Sequence, residues 1–174
     1  MKNLHFLLRY SDKLSGADTI GEHQFMIEQH GSVWMGKFGV GMSNRFVEIA
    51  KKQLERGEPC FLYLMHGAKY TCKANIIDLV AAKTSQGEMS SIQPSITPSY
   101  YRKKRCSIWF KLSVIEPMNS DDLQYLWLFN DPASHPCSGG MRGLIYLTYN
   151  DAPPPLSSSV IDSRPSIYTE SLFD

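Results

Sequence analysis

Residues 60–80 read Cys60-Phe61-Leu62-Tyr63-Leu64-Met65-His66-Gly67-Ala68-Lys69-Tyr70-Thr71-Cys72-Lys73-Ala74-Asn75-Ile76-Ile77-Asp78-Leu79-Val80. Two runs rich in aromatic and β-branched residues, 60–65 and 70–80, flank a short stretch containing glycine, the pattern of a β-hairpin. An antiparallel pair near the middle of the chain argues against a doubly wound parallel sheet, in which helices would alternate regularly with strands.

The flanking sequence agrees. Residues 4–10 and 32–38 predict strands. A helix is predicted between them over 18–30, opened by the capping-box spacing Thr19-Ile20-Gly21-Glu22 and stopped at Gly31. Ser43 caps a second helix, over 43–56, in which Phe46, Ile49, Ala50 and Leu54 share a face. After the hairpin come a long polar loop over 83–99, a strand over 106–115, a short helix from Ser120 to about residue 129, and a last strand over 143–149. The expected fold is α+β, a small, twisted, mostly antiparallel β-barrel with helices packed outside. In the strand over 106–115, a period of two puts Ile108, Phe110, Leu112 and Val114 on one face and Trp109, Lys111 and Ser113 on the other.

The chain has 174 residues, 43% of them hydrophobic and 20% charged, which suits one globular domain. Lys and Arg number 18 against 17 Asp and Glu, so a histone-like polycation is excluded. The charge is uneven: residues 151–174 are net −3 and the body is net +4. Residues 151–174 hold four prolines and six serines, including Ala152-Pro153-Pro154-Pro155, and are expected to be a linker or disordered arm beside a domain over 1–150. No stretch has the ~20 apolar residues of a membrane span, and the N-terminus is too short in apolar residues for a signal peptide. Cys60, Cys72, Cys106 and Cys137 form no C-x-x-C pair, and free buried thiols in a cytoplasmic protein are expected.

Motifs of catalysis are missing. There is no phosphate loop: Gly36-Lys37-Phe38-Gly39-Val40-Gly41 is not followed by Lys-Ser/Thr. Metalloprotease, deaminase and nucleophile-elbow signatures are absent too, and the five histidines lack metal-ligand spacing; His23 and His30 are expected to be exposed or capping. Asp121 and Asp122 fit the first turn of a helix. The prediction is a binding module with no catalytic residue, metal or cofactor.

Three features point to binding. Trp34 stands among Ser32, Gly36, Gly39 and Lys37, which allows either a flat pocket wall or a core tryptophan. Tyr100-Tyr101-Arg102-Lys103-Lys104-Arg105 sets two aromatics beside four cations, suited to stacking bases and neutralising phosphates, or to a solvated face. Trp109, on the more polar face of its strand, is either a platform or a satellite core residue.

The order of these features resembles the EVE and YTH domains of the PUA-like superfamily. The resemblance runs from Trp34 after a helix, through Phe61-Leu62-Tyr63-Leu64, Gly67, Tyr70 and Lys73-Ala74-x-Ile76, to Trp109-Phe110-Lys111-Leu112-Ser113-Val114-Ile115-Glu116-Pro117 and Ser138-Gly139-Gly140-Met141-Arg142-Gly143. It implies a nucleic-acid-binding domain that flips a modified base into an aromatic cage. By position, Trp34 matches the first cage wall, Tyr100 or Tyr101 stands in for the second, and Tyr63 and Trp109 are further lining. Arg142 matches a phosphate-contacting arginine, to which Lys37, Arg102, Lys103, Lys104 and Arg105 add cations. Similar domains stand at the N-terminus of McrBC-type modification-dependent restriction systems. The expected partner is therefore modified DNA, with an effector domain or subunit beyond the linker. An RNA-binding module of the same fold and a protein-interaction domain are the alternatives.

Overall fold

The computed structural model describes residues 3–12, 18–39, 41–67, 69–84, 86–118, 120–131, 134–136 and 144–150. Strands β1 (His5–Tyr10), β2 (Val33–Phe38), β3 (Phe61–His66), β4 (Lys69–Ala81), β5 (Cys106–Pro117), β6 (Leu126–Leu128) and β7 (Leu144–Tyr149) form one sheet in the order β2-β5-β4-β3-β1-β7-β6. Only β1 and β3 pair in parallel; the other neighbours are antiparallel. Helices α1 (Thr19–His30) and α2 (Asn44–Glu55) and a single turn α3 (Ser99–Arg102) complete an α+β fold.

The sheet is rolled. In a flat sheet β1 and β5 would lie about 14 Å apart, three strand spacings. The Phe6 and Phe110 rings nevertheless meet with centroids 5.0 Å apart. Their strands must therefore curve toward each other around a shared inner face, which also holds Leu62, Leu64, Ala74, Ile76 and Leu112. Among the described residues the ladder ends at β2 and β6, so curvature and side-chain packing, rather than a backbone hydrogen-bonded seam, enclose this core.

Two β-bulges alter the expected alternation. Ile76 pairs with Leu112 while Asn75 pairs with Val114, so Ser113 is the extra residue on β5. Beyond it the faces exchange: Ile115 is buried and Val114, expected in the core, is 48% exposed. A second shift leaves Ile77 outside, 45% exposed.

Both main helices start and stop on local chemistry. The cap of α1 is Asp18 rather than Thr19, its carboxylate accepting from the Gly21 amide at 3.0 Å. Gly31 closes that helix in the left-handed region (φ 85°), where a residue without Cβ is unstrained. Ser43 caps α2 through the Phe46 amide and is itself held by the Tyr146 hydroxyl, which accepts from the Ser43 amide at 2.8 Å. Gln53 then ties α2 to the first strand: it accepts from the Leu4 amide at 2.7 Å and donates to the carbonyls of Leu4 and Pro59. The segment after Ser120 is a single 3-10 stretch, Ser120–Tyr125, followed by the short strand β6 rather than by more helix. Buried Leu126 supplies the reason, pairing β6 onto β7 over a satellite core of Leu7, Tyr63, Met65 and Leu147.

His23 is fully buried, contrary to the exposed or capping position expected. Its Nδ1 donates to the Thr19 carbonyl at 2.7 Å and its ring meets Tyr101 edge-on. Burial pushes the pKa of His23, and of His5 on β1, down to about 4. The unfolded chain protonates both near 6.5, while the folded chain refuses those protons until about pH 4. Stability is therefore complete above about pH 6.5 and falls as the pH drops from there toward 4. Urea titrations at pH 7 and pH 5 should differ by about 2 kcal/mol for each histidine, the lower pH being the less stable. Equal stability at the two values would contradict the neutral burial of this pair.

Candidate nucleic-acid interface

The outer face of β2 and β5 is covered by residues 82–84 and 86–105. This segment is bound to the sheet at several points. Met89 and Cys106 exchange amide–carbonyl hydrogen bonds at 2.8 Å, and the Ala82 amide donates to the Ser107 carbonyl. The Trp109 indole donates to the Met89 carbonyl at 2.9 Å, and the Trp34 indole to Gln93 Oε1 at 2.6 Å. Both tryptophans are consequently roofed over: Trp34 is 1% exposed and Trp109 is not exposed at all. Lys111, opposite Trp34 in the β2–β5 ladder, lies 5.8 Å from the center of its ring.

The predicted cage partners sit elsewhere. Tyr101 is buried, stacked on Phe38 at 4.8 Å. Tyr100 is half-buried and meets Phe38 edge-on at 5.9 Å, while the Lys104 ammonium lies 4.9 Å from the Tyr100 ring. Tyr63 is three strands from β2, enclosed in the satellite core with Leu7, Met65 and Leu126. Trp34, Tyr63, Trp109 and Tyr101 thus form no open cleft with one another. Trp34 and Trp109 are closed by the covering segment and Tyr101 by Phe38 and His23, whereas Tyr63 lines a separate pocket with His5, Phe61 and Lys73.

The cations divide in the same way. Lys37 is 5% exposed, and its ammonium donates to the Phe38 carbonyl at 3.3 Å. Desolvation lowers its pKa, with Cys106 and Glu88 opposing, so it is not presented to a phosphate. Arg102, Lys103, Lys104 and Arg105 are all exposed. Two of them are fixed by the backbone: Arg102 Nε donates to the Thr97 carbonyl at 3.0 Å and Arg105 to the Glu88 carbonyl at 2.7 Å. Arg142 lies outside the described residues, as do Cys137 and residues 151–174. The other three cysteines are free and buried, and burial pushes the Cys60 and Cys106 thiols up to about 12.

Beside the basic run a cleft of about 460 Å³ opens between α1 and α3, walled by Glu22, Phe25, Met26, Pro98, Ser99 and Arg102. Phe25 is 58% exposed, the most exposed large hydrophobic residue described. It lies off the stripe of Thr19, His23, Met26 and Ile27 that α1 turns toward the sheet. That offset from the apolar stripe was the one available sequence signal for it, and sequence reading missed it. Among the described residues no group of three or more His, Cys, Asp or Glu could hold a metal ion. No described helix is long and apolar enough to cross a membrane.

A family model described as Pua-like matches residues 6–135 of the chain. The chain belongs to the Pua-like family. Membership points to nucleic-acid binding, and the rolled sheet with helices outside is the fold the family resemblance led one to expect. No curated protein and no solved structure shows a significant match. Within the Pua-like domain, the surface combining exposed cations, an exposed ring and a cleft is formed by α1, α3 and residues 102–105.

Enclosure makes Trp34 a structural residue in this conformation. Trp34→Ala should cost about 3–5 kcal/mol of stability, as removal of a large enclosed ring does. Urea unfolding measures this. A loss below about 1 kcal/mol, typical of an exposed side chain, would contradict the burial.

Proposed function

We propose that this Pua-like domain is a non-catalytic nucleic-acid reader that recognises a modified base, most simply a methylated base in DNA, as the targeting module of a restriction or defence system. The observation behind the reading is the joining of four exposed cations, two of them held by backbone carbonyls, to a cleft with an exposed phenylalanine. Stacking and phosphate neutralisation are then available side by side.

The charges at the cleft divide the work. Glu22 and Asp18 at its wall repel phosphate, but a carboxylate accepts well from an exocyclic amine such as that of cytosine or adenine. A base in the cleft would stack on Phe25 while its phosphates track along Arg102 to Arg105. Flipping a base out of a duplex costs a few kcal/mol, which one or two such stacks offset. A buried methyl group adds roughly 0.8 kcal/mol, so preference for a modified base is expected to be modest unless the cleft closes over it. The DNA and defence assignments draw on the likeness to EVE and YTH domains and to McrBC-type systems. An effector acting beyond the Pro/Ser-rich segment belongs to the same reading, as does RNA as the alternative polymer.

Anisotropy titrations with short single-stranded and duplex oligonucleotides, methylated and unmethylated, test the proposal. Replacing Arg102, Lys103, Lys104 and Arg105 with alanine should weaken binding to all sequences and flatten the log–log salt dependence by about 3–4 if each meets a phosphate. Phe25→Ala should cost one stack, about 1–3 kcal/mol, and any methyl preference with it. An unchanged salt slope in the fourfold variant would return the run to a solvated face. A requirement for the 2′-hydroxyl would move the reading to RNA.

A further inference from the structure

A second pocket of about 340 Å³ lies on the outer face of the sheet, where β1, β3, β4 and β7 run side by side. Its walls include His5, Phe61, Lys73, Tyr149 and Asn3. The volume is at the small end of the range for ligand pockets. It shares no residue with the cleft between α1 and α3.

The chemistry of these walls converges. The His5 ring stacks on Phe61, with centroids 5.4 Å apart and planes 26° apart. Its Nδ1 accepts from the Phe61 amide at 3.0 Å, so the neutral ring carries its proton on Nε2. That Nε2–H has no partner among the described residues and is a donor at a pocket wall. Burial and the charge of Lys73 keep the ring neutral, with a pKa pushed down to about 4. The Lys73 ammonium lies 4.2 Å from the center of the Phe61 ring and makes no ion pair among the described residues, although Glu116 is its cross-strand neighbor. Tyr149 contributes a ring that is 38% exposed, and the Asn3 amide can both donate and accept. The site therefore offers aromatic surface for a planar ring, polar groups for its edge, and a cation that makes no ion pair among the described residues.

We infer that this pocket binds a single nucleotide unit, a planar base with a 5′-phosphate, with the base against the aromatic walls and the phosphate on Lys73. The unit could arrive as a free mononucleotide or as the 5′-phosphorylated end of a strand; the chemistry recognised is the same. The inference is independent of the reading given to the basic run.

Calorimetric titration with adenosine, guanosine, cytidine and uridine 5′-monophosphates, each beside its nucleoside, tests it. Hexanucleotides with and without a 5′-phosphate form the second arm. At least one mononucleotide should bind with a Kd below about 1 mM and more tightly than its nucleoside. Lys73→Met, which keeps the packed stem, should weaken that binding about tenfold or more and abolish the preference over the nucleoside. Tyr149→Ala should weaken it by roughly 5- to 150-fold, with the melting temperature recorded alongside. The fourfold alanine variant of residues 102–105 should retain the Lys73-dependent part of mononucleotide binding, which separates this site from the basic surface. Tighter binding of the 5′-phosphorylated hexamer than of any mononucleotide identifies the strand end as the source, and the reverse identifies the free nucleotide. No saturable binding of any of these probes, or binding that Lys73→Met leaves unchanged, would overturn the inference.

Discussion

A missing side chain at Gly36 sets the geometry on which the outer layer depends. Gly36 pairs with Trp109 across β2 and β5. A Cβ there would strike Cys106 Sγ and stand 3.0 Å from the Trp109 ring. Only glycine leaves room there for both the Cys106 thiol and the Trp109 indole. With the ring in that position its N–H reaches the Met89 carbonyl, and the Met89–Cys106 pairing brings the chain back onto the sheet. β5 is thereby buried on both faces, with Phe110 inside the roll and Trp109 outside it.

This double burial links core to surface. Covering Trp109 and Trp34 requires residues 86–105 to run over β2 and β5, and Gln93 and Met89 are the anchors. The same segment then turns through α3, where Tyr101 is held between Phe38 and His23 and Arg102 is fixed to Thr97. The four cations are thus carried on a frame whose far end is buried aromatic surface. A site held in this way loses little side-chain freedom on binding, which favors affinity without added contacts. Trp34, Trp109 and Tyr101, assigned to a ligand by sequence reading, instead support this frame from beneath.

How much of this was legible in the sequence follows from the kind of information each feature needs. The hairpin at Gly67, the Ser43 cap, the Gly31 stop and the strand at 106–115 rest on local chemistry, and each appears where the residues put it. Val114 was read on the wrong face because a bulge on β5 is decided by its pairing with β4, which no local pattern records. Trp34 illustrates a harder problem. Small neighbors are compatible with a ligand pocket and equally with a chain segment folded over the ring, and here the residue that receives the indole N–H, Gln93, is 59 residues away in sequence. Lys37 was misjudged because its enclosure and the return of its ammonium onto the Phe38 carbonyl depend on tertiary packing that the local sequence does not record. Phe25 escaped notice because an apolar residue on an amphipathic helix is read as core unless its angle from the buried stripe is considered.

The central claim is that nucleic acid meets this domain at α1, α3 and the basic run, above tryptophans that remain closed. Amide and indole NMR signals, followed as a short oligonucleotide lacking a 5′-phosphate is added, address it directly. The account predicts shifts confined to residues 22–26 and 98–105, with the indole N–H signals of Trp34 and Trp109 unmoved. Large shifts of the Trp34 indole and of residues 89–93, showing the cover lifted and a base against the ring, would contradict it.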